Sequence, residues 1–362
     1  MAKMFLLDLE DTGMVGSIKG QKIYLYGNND TGKTFQSMKL PKPLLLMTEA
    51  GGNAVRGKKY PVTKWSVFKD LVSQLTSEKM TKVGSSNDED DEDDGDTKVT
   101  KAPMYQIMQE KYQTIVIDTV ENLVELAEQA TCQEFGVRDL SEITGKQNGY
   151  SIYRKDFKTQ VNRLCSYGYT VVFIGHEETV EKTDELNGDD KYNFIQPKGT
   201  DNVKASTRFI RDLCDFCMYL KPNGIDENGD TIPSTAICKQ TRNVFARSRY
   251  AIQTFIKVFN AKNLEEAIVK AIEKTAEDEG AVLSDWEMKN DDYTREDWLD
   301  VIKPYFQAVN KKYPDKVKDI VATELGEGVK VSETTDEQIT ELENIYNQLV
   351  TFACDQGIIV EV

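Results

Sequence analysis

Short apolar runs separated by amphipathic stretches dominate the first two-thirds of the chain. Residues 23–26 (IYLY), 43–47 (PLLLM), 114–118 (TIVID) and 169–175 (YTVVFIG) are continuously apolar rather than alternating. Such runs predict strands buried on both faces. Between them, Trp65, Phe68, Leu71, Val72 and Leu75 recur at helical spacing within 64–80. Further helices are predicted over about 120–134 and 150–166, and TFQSMKL after the first strand can start another. Two-sided strands alternating with helices predict an α/β core with a mostly parallel central sheet under helical cover.

Beyond residue 213 the pattern changes. DFCMYL, the turn-rich PNGIDENGD, then STAICKQT and RYAI predict adjacent strands joined by hairpins. Residues 263–280 predict one amphipathic helix, and 284–293 are acidic and weakly apolar. Helices follow at about 294–311, 314–325 and 335–356, with Thr334-Thr335-Asp336-Glu337 as a capping candidate and GEGVKVSE as an extended connector. The expected organisation is a core over 1–262, a connecting helix and linker over 263–292, and a small all-α module over 293–362. No internal repeat is visible.

Charge refines this division. The chain of 362 residues carries 45 Lys+Arg against 61 Asp+Glu, a net -16. Residues 88–96, DEDDEDDGD, hold eight acids and no base, and residues 263–362 hold 24 acids and 10 bases. The remainder is therefore +6, since +6 - 8 - 14 = -16. The acidic tract repels itself and has nothing apolar to bury, so an insertion over about 84–100 is expected to be disordered. It is either a solvated loop or an acidic mimic competing with nucleic acid for a basic surface.

Composition excludes several chemistries. With one histidine, a zinc site needs almost only cysteine ligands, and a nucleophile triad has only His176. Cysteines at 132, 165, 214, 217, 238 and 354 lack paired metal spacing, and Cys214-Asp-Phe-Cys217 lies in a strand-like run. No apolar run reaches eighteen residues, so no membrane span is expected, and MAKMFLLDLEDTG is not a signal peptide. Reduced thiols and a cytoplasmic location are expected.

One motif is specific. Gly27-Asn28-Asn29-Asp30-Thr31-Gly32-Lys33-Thr34 fits GxxxxGK[ST] in full, after a predicted strand and before a predicted helix. Backbone N–H groups in such a loop face phosphates, with Lys33 reaching the β and γ phosphates and Thr34 holding Mg²⁺. ATP and Mg²⁺ are the expected ligands. Asp118, closing TIVID, is the expected Walker B carboxylate. Glu49 follows PLLLMT at a strand's C-terminal end, where open α/β sheets place ligands, and can activate water. His176 ends YTVVFIG in the same way and can touch the γ-phosphate.

In order, GNNDTGKT, LLLMTEAGG, TIVIDT and VVFIGHEE resemble the RecA-like branch of P-loop ATPases, in particular phage-encoded AAA-domain and single-strand-annealing RecA-core proteins. The likeness covers roughly residues 20–255. It implies a RecA-like P-loop NTPase core, a catalytic Glu49, a γ-phosphate sensor at His176 beside Glu177, and self-association into a ring or filament. The acidic insertion and the helical module depart from that pattern.

Thr231 to Leu264 contain no acid but carry Lys239, Arg242, Arg247, Arg249, Lys257 and Lys262, interleaved with Phe245, Tyr250, Phe255 and Phe259. This stretch can track single-stranded DNA, supply a cation to a neighbouring subunit's nucleotide, or form a solvated basic face over core rings. Lys198, Lys204, Arg208 and Arg211 form a second basic patch, where the resemblance implies a DNA-binding loop. The reading is a Mg²⁺-dependent ATPase acting on single-stranded DNA in phage recombination, repair or replication. The alternatives are a nucleotide-gated scaffold with little turnover and a small-molecule kinase. The acidic C-terminal module suits a protein partner better than DNA.

Overall fold

The computed structural model describes residues 13–49, 55–83, 100–144, 148–184, 190–285, 295–335, 338–356 and 358. Residues 13–285 and residues 295–358 fall into two separate compact units. The acidic tract lies outside the described residues; the antiparallel strands Met80–Val83 and Thr100–Pro103 flank it.

In chain order the core unit begins with Met14–Val15 (β1), Lys22–Tyr26 (β2), Lys33–Ser37 (α1), Pro43–Met47 (β3), Lys58–Pro61 (β4) and Trp65–Leu75 (α2). Met80–Val83 (β5), Thr100–Pro103 (β6), Met104–Lys111 (α3), Thr114–Asp118 (β7), Val120–Phe135 (α4), Gly149–Ser166 (α5) and Thr170–Gly175 (β8) follow. Glu177–Asp184 (β9) and Asp190–Pro197 (β10) form a separate antiparallel pair ahead of Ser206–Leu213 (α6). The unit closes with Phe216–Lys221 (β11), Thr235–Ile237 (β12), Arg247–Ser248 (β13), Phe255–Ile256 (β14), Ala261–Glu279 (α7) and Leu283–Ser284 (β15).

The central sheet runs β14-β12-β11-β2-β8-β7-β3-β4, with β13 also on β11. Every pairing from β4 to β11 is parallel, whereas those of β12, β13 and β14 are antiparallel. The two-residue alternation of strand side chains divides the core. Tyr24, Leu46, Ile117 and Phe173 point into a layer with Trp65 and Phe68 of α2, Leu123 of α4 and Phe157 of α5. Ile23, Leu25, Leu45, Val116 and Val172 point the other way, onto Leu264, Ile268 and Ile272 of α7. Both faces are therefore covered, which is why these runs are continuously apolar.

Several expectations are corrected. The helix assigned to a connector packs its apolar face on the sheet, and the Ala261 amide donates to Oε1 of Gln36 on α1 at 3.1 Å. It belongs to the core. RYAI is not a strand; short strands lie on either side of it, at Arg247–Ser248 and Phe255–Ile256. The second basic patch is only partly loop, because Arg208 and Arg211 stand on α6. Cys214, Cys217 and Cys238 are buried free thiols, and burial pushes their pKa up, which keeps them protonated.

In the C-terminal unit, Arg295–Asn310 (α8), Pro314–Leu325 (α9) and Ile339–Asp355 (α10) enclose their own core of Ile302, Val309, Ile320, Leu342, Ile345 and Leu349. The supposed extended connector contains a 3-10 turn at Val331–Glu333.

Candidate functional site

The site forms at the C-terminal ends of β2, β8, β7 and β3, which are consecutive neighbours in the sheet. The loop 27–32 leaves β2 through Gly27, whose φ of 152° lies where side chains are strained. A Cβ there would lie 2.6 Å from the Leu220 carbonyl oxygen of the adjacent strand β11, so only glycine fits. Gly32, at φ 83°, turns the loop into α1.

Lys33 is buried and folded back into this loop. Its Nζ donates to the carbonyls of Gly27 at 2.8 Å and Asn28 at 2.6 Å and lies 3.4 Å from Thr31 Oγ1. Burial lowers its pKa, opposed by the charges of Asp118, Glu121, Glu177 and Asp30. Thr31, also buried, donates to the Asn28 carbonyl at 2.9 Å. Asn29 and Asp30 are exposed at the tip, Asp30 with φ 60°.

The Thr34 hydroxyl donates to Oδ2 of Asp118 at 2.6 Å. Burial holds the Asp118 carboxyl above its ordinary range; the Thr34 hydrogen bond opposes this and the Glu49 charge adds to it. Glu49 accepts at Oε1 from the Thr119 hydroxyl at 2.8 Å. Thr48 ties the ends of β3 and β7 together: its hydroxyl accepts from the Thr119 amide at 2.7 Å and donates to the Thr119 carbonyl at 2.9 Å.

His176 stands just past β8. Its amide donates to Oε1 of Glu121 at 2.9 Å, and its Nδ1 lies 3.7 Å from Glu121 Oε2. The facing Glu121 carboxylate raises the imidazole pKa, against a smaller effect of burial. Asp118 and His176 each feel the charges of Glu49 and Lys33, so the four form one electrostatic cluster. The structure thus brings together the loop, Asp118, Glu49 and His176.

Sequence reasoning missed Glu121, Thr48 and Thr119. Glu121 sits in the first turn of α4, where an acid is common for the helix dipole alone; only its position three residues after Asp118 marked it.

The basic stretch lies elsewhere. Arg242 pairs with Asp184 at 3.3 Å and covers the Tyr192 ring. Arg247 donates to the Asp212 carbonyl at 3.1 Å, and Arg249 pairs with Asp215 at 3.3 Å. Lys239 is exposed after β12. Of the readings left open for this stretch, core rings fit best: Phe259 is buried, Phe245 lies under Arg211, and Tyr250 stacks on Phe216. Phe255 alone of the four is classed as exposed.

The oxygen set of Thr34 and Asp118 suits a hard cation such as Mg²⁺, and the glycine-dependent cradle above Lys33 suits phosphate. Fold and site together define a P-loop ATPase. Residues 19–250 match the AAA domain family, and the chain belongs to that family. It is also similar to the SPbeta prophage-derived uncharacterized protein YorG of Bacillus subtilis (strain 168), being 31% identical over 344 residues that cover 92% of this chain and 93% of that one. Among solved structures it is similar to the RadB recombinase, at 9% identity and a TM-score of 0.31, over 62% of this chain and 83% of that one. Among the described residues no helix is long and apolar enough to cross a membrane.

Proposed function

We propose that the chain binds and hydrolyses ATP with Mg²⁺, and that it works on single-stranded DNA in phage recombination, repair or replication. The observation that carries the ATPase reading is the convergence of Lys33, Thr34, Asp118, Glu49 and His176 on one edge of the sheet. Thr34 and Asp118 would hold Mg²⁺, which when bound neutralises phosphate charge. Lys33 exchanges its loop carbonyls for phosphate oxygens. Glu49, oriented by the Thr119 hydroxyl, positions water and takes its proton. His176, whose pKa Glu121 raises, donates to the γ-phosphate.

Support for DNA comes from the +6 balance outside the acidic segments and from exposed Lys198, which follows β10 directly, and Lys204. Self-association into a ring or filament belongs to the same reading, as does a protein partner for the C-terminal unit. That unit carries an apolar groove of about 970 Å³ lined by Leu299, Ile302, Phe306, Val317 and Val321.

The test is ATP hydrolysis with and without single-stranded DNA, in wild type, Lys33→Ala and Glu49→Gln. Turnover that DNA stimulates and both variants abolish is expected, with salt-sensitive DNA binding. ATP binding without turnover in wild type would instead favour a nucleotide-gated scaffold.

A further inference from the structure

Glu177 stands where the phosphate loop meets the β9–β10 pair. Its Oε1 accepts from the Asn28 side-chain amide, within the loop, at 3.3 Å. Burial raises the pKa of the neighbouring Tyr219 hydroxyl, and the Glu177 carboxylate adds to the rise. The other oxygen, Oε2, is buried without a hydrogen-bond partner. A carboxyl oxygen left this way is costly, so something other than stability accounts for the residue. Its charge also reaches Lys33, the amine assigned to the phosphates.

We propose that Glu177 sets the affinity of the nucleotide site: its carboxylate engages the loop through Asn28 as an internal rival of the terminal phosphates, and nucleotide binding displaces it. This rests on the nucleotide-binding reading above. Phosphate entering the loop brings like charge close to Glu177, in partly buried surroundings where repulsion is several-fold stronger than in water. Asn28 is a neutral donor and cannot offset that repulsion. The relief is movement of the carboxylate away from the loop.

That movement has a defined route. Glu177 is the first residue of β9 and pairs with Pro197 at the end of β10. The next amide, that of Lys198, donates to the His176 carbonyl at 2.9 Å. The Gln196 side chain donates to Glu178 Oε1 at 2.8 Å. β10 is held to the rest of the core by Ile195, whose amide donates to the Asn243 carbonyl and whose carbonyl accepts from the Phe245 amide, both at 2.8 Å. Displacing Glu177 therefore shifts the end of β10 and the segment from Lys198 onward about the Ile195 anchor.

Affinity for a non-hydrolysable ATP analogue with Mg²⁺, measured on the full chain, tests this. Glu177→Gln keeps the shape and the acceptor for Asn28 and removes only the charge. Its Kd should fall ~10-fold, equivalent to about 1.4 kcal/mol. Hydrogen exchange of the amides over 190–198 should change on adding the analogue to wild type, and should change less in Glu177→Gln, which lacks the charge that drives the displacement. Equal or weaker binding by a folded Glu177→Gln overturns the proposal, because a carboxylate that merely braces the loop gives that result. Unchanged exchange over 190–198 in wild type overturns it without recourse to any variant. If wild type binds no analogue, the nucleotide-binding reading fails and this one with it. If wild type binds and Lys33→Ala does not, an unaltered Glu177→Gln refutes the rival role alone.

Discussion

The Thr34 hydroxyl and Oδ2 of Asp118 are 2.6 Å apart although 84 positions separate them in the chain. This bond partly offsets the burial that raises the Asp118 pKa. A carboxyl whose folded pKa is raised holds its proton more tightly when folded. It favours the fold at low pH and loses that contribution as pH rises through the folded pKa. In its ionised form Asp118 is therefore a burden to the fold. Asp118→Asn keeps an acceptor for Thr34 and removes the charge. The ligand-free variant should melt about 2–4 °C higher by differential scanning fluorimetry, while ATP turnover falls by at least ~100-fold. This is the exchange of stability for function expected if the carboxylate is kept to hold a cation.

His176 is the only histidine, so its titration is readable without assignment. The facing Glu121 carboxylate raises the imidazole pKa, and burial opposes it less strongly. The NMR midpoint should lie above the ordinary ~6.5, and Glu121→Gln should bring it down. A His pKa raised on folding stabilises fully below the unfolded value, and that stability is lost as pH rises through the folded one. Wild-type stability should therefore decline more across that interval than the stability of Glu121→Gln. A midpoint that Glu121→Gln leaves unmoved would show that the pair is not coupled.

Gly27 tests the cradle through the backbone. Its φ of 152° and the 2.6 Å approach of a Cβ to the Leu220 carbonyl oxygen cannot be relieved by a side-chain rotation. Gly27→Ala should cost about 2–4 kcal/mol, as strain and overpacking do at constrained positions. Nucleotide affinity should fall with it. Thermal melting and analogue binding read the two effects on one sample.

The parallel sheet was legible because its strands are covered on both faces: Leu44, Leu45 and Leu46 point alternately into opposite layers, so no polar position breaks the run. The phosphate loop was legible because its chemistry demands glycines and Lys-Thr at fixed spacing. The β9–β10 pair was not. EETVEKTD has no apolar alternation, and its partner strand is held by cross-strand pairing and by Lys182 over the Phe194 ring at 3.7 Å. The placement of Phe245, Tyr250 and Phe259 stayed open because a basic neighbourhood says nothing about which way a ring points. α7 was misread because an amphipathic helix shows that it has an apolar face without showing what covers it.

Asp215 decides how the basic stretch is used. It is buried, accepts from the Lys22 amide at 2.9 Å, and lies 3.1 Å from Lys22 Nζ and 3.3 Å from Arg249 Nη1. Arg249 also donates from its side chain to the Leu213 carbonyl at 3.2 Å and from its amide to the Asp215 carbonyl at 2.9 Å. These contacts join the starts of β2 and β11 to the segment after β13. Removing the buried acceptor strands its donors, so Asp215→Ala should cost about 3–5 kcal/mol. Arg249 is half exposed and solvent screens its ion pair, so Arg249→Ala should cost only about 0.5–1 kcal/mol. Turnover per subunit in Arg249→Ala should then match wild type at temperatures where both are folded, at every protein concentration. An arginine supplied to a neighbouring subunit behaves differently: its removal abolishes turnover, leaves the melting temperature unchanged, and takes away the rise in wild-type specific activity with concentration. Melting curves and a concentration series on the same two variants separate the outcomes.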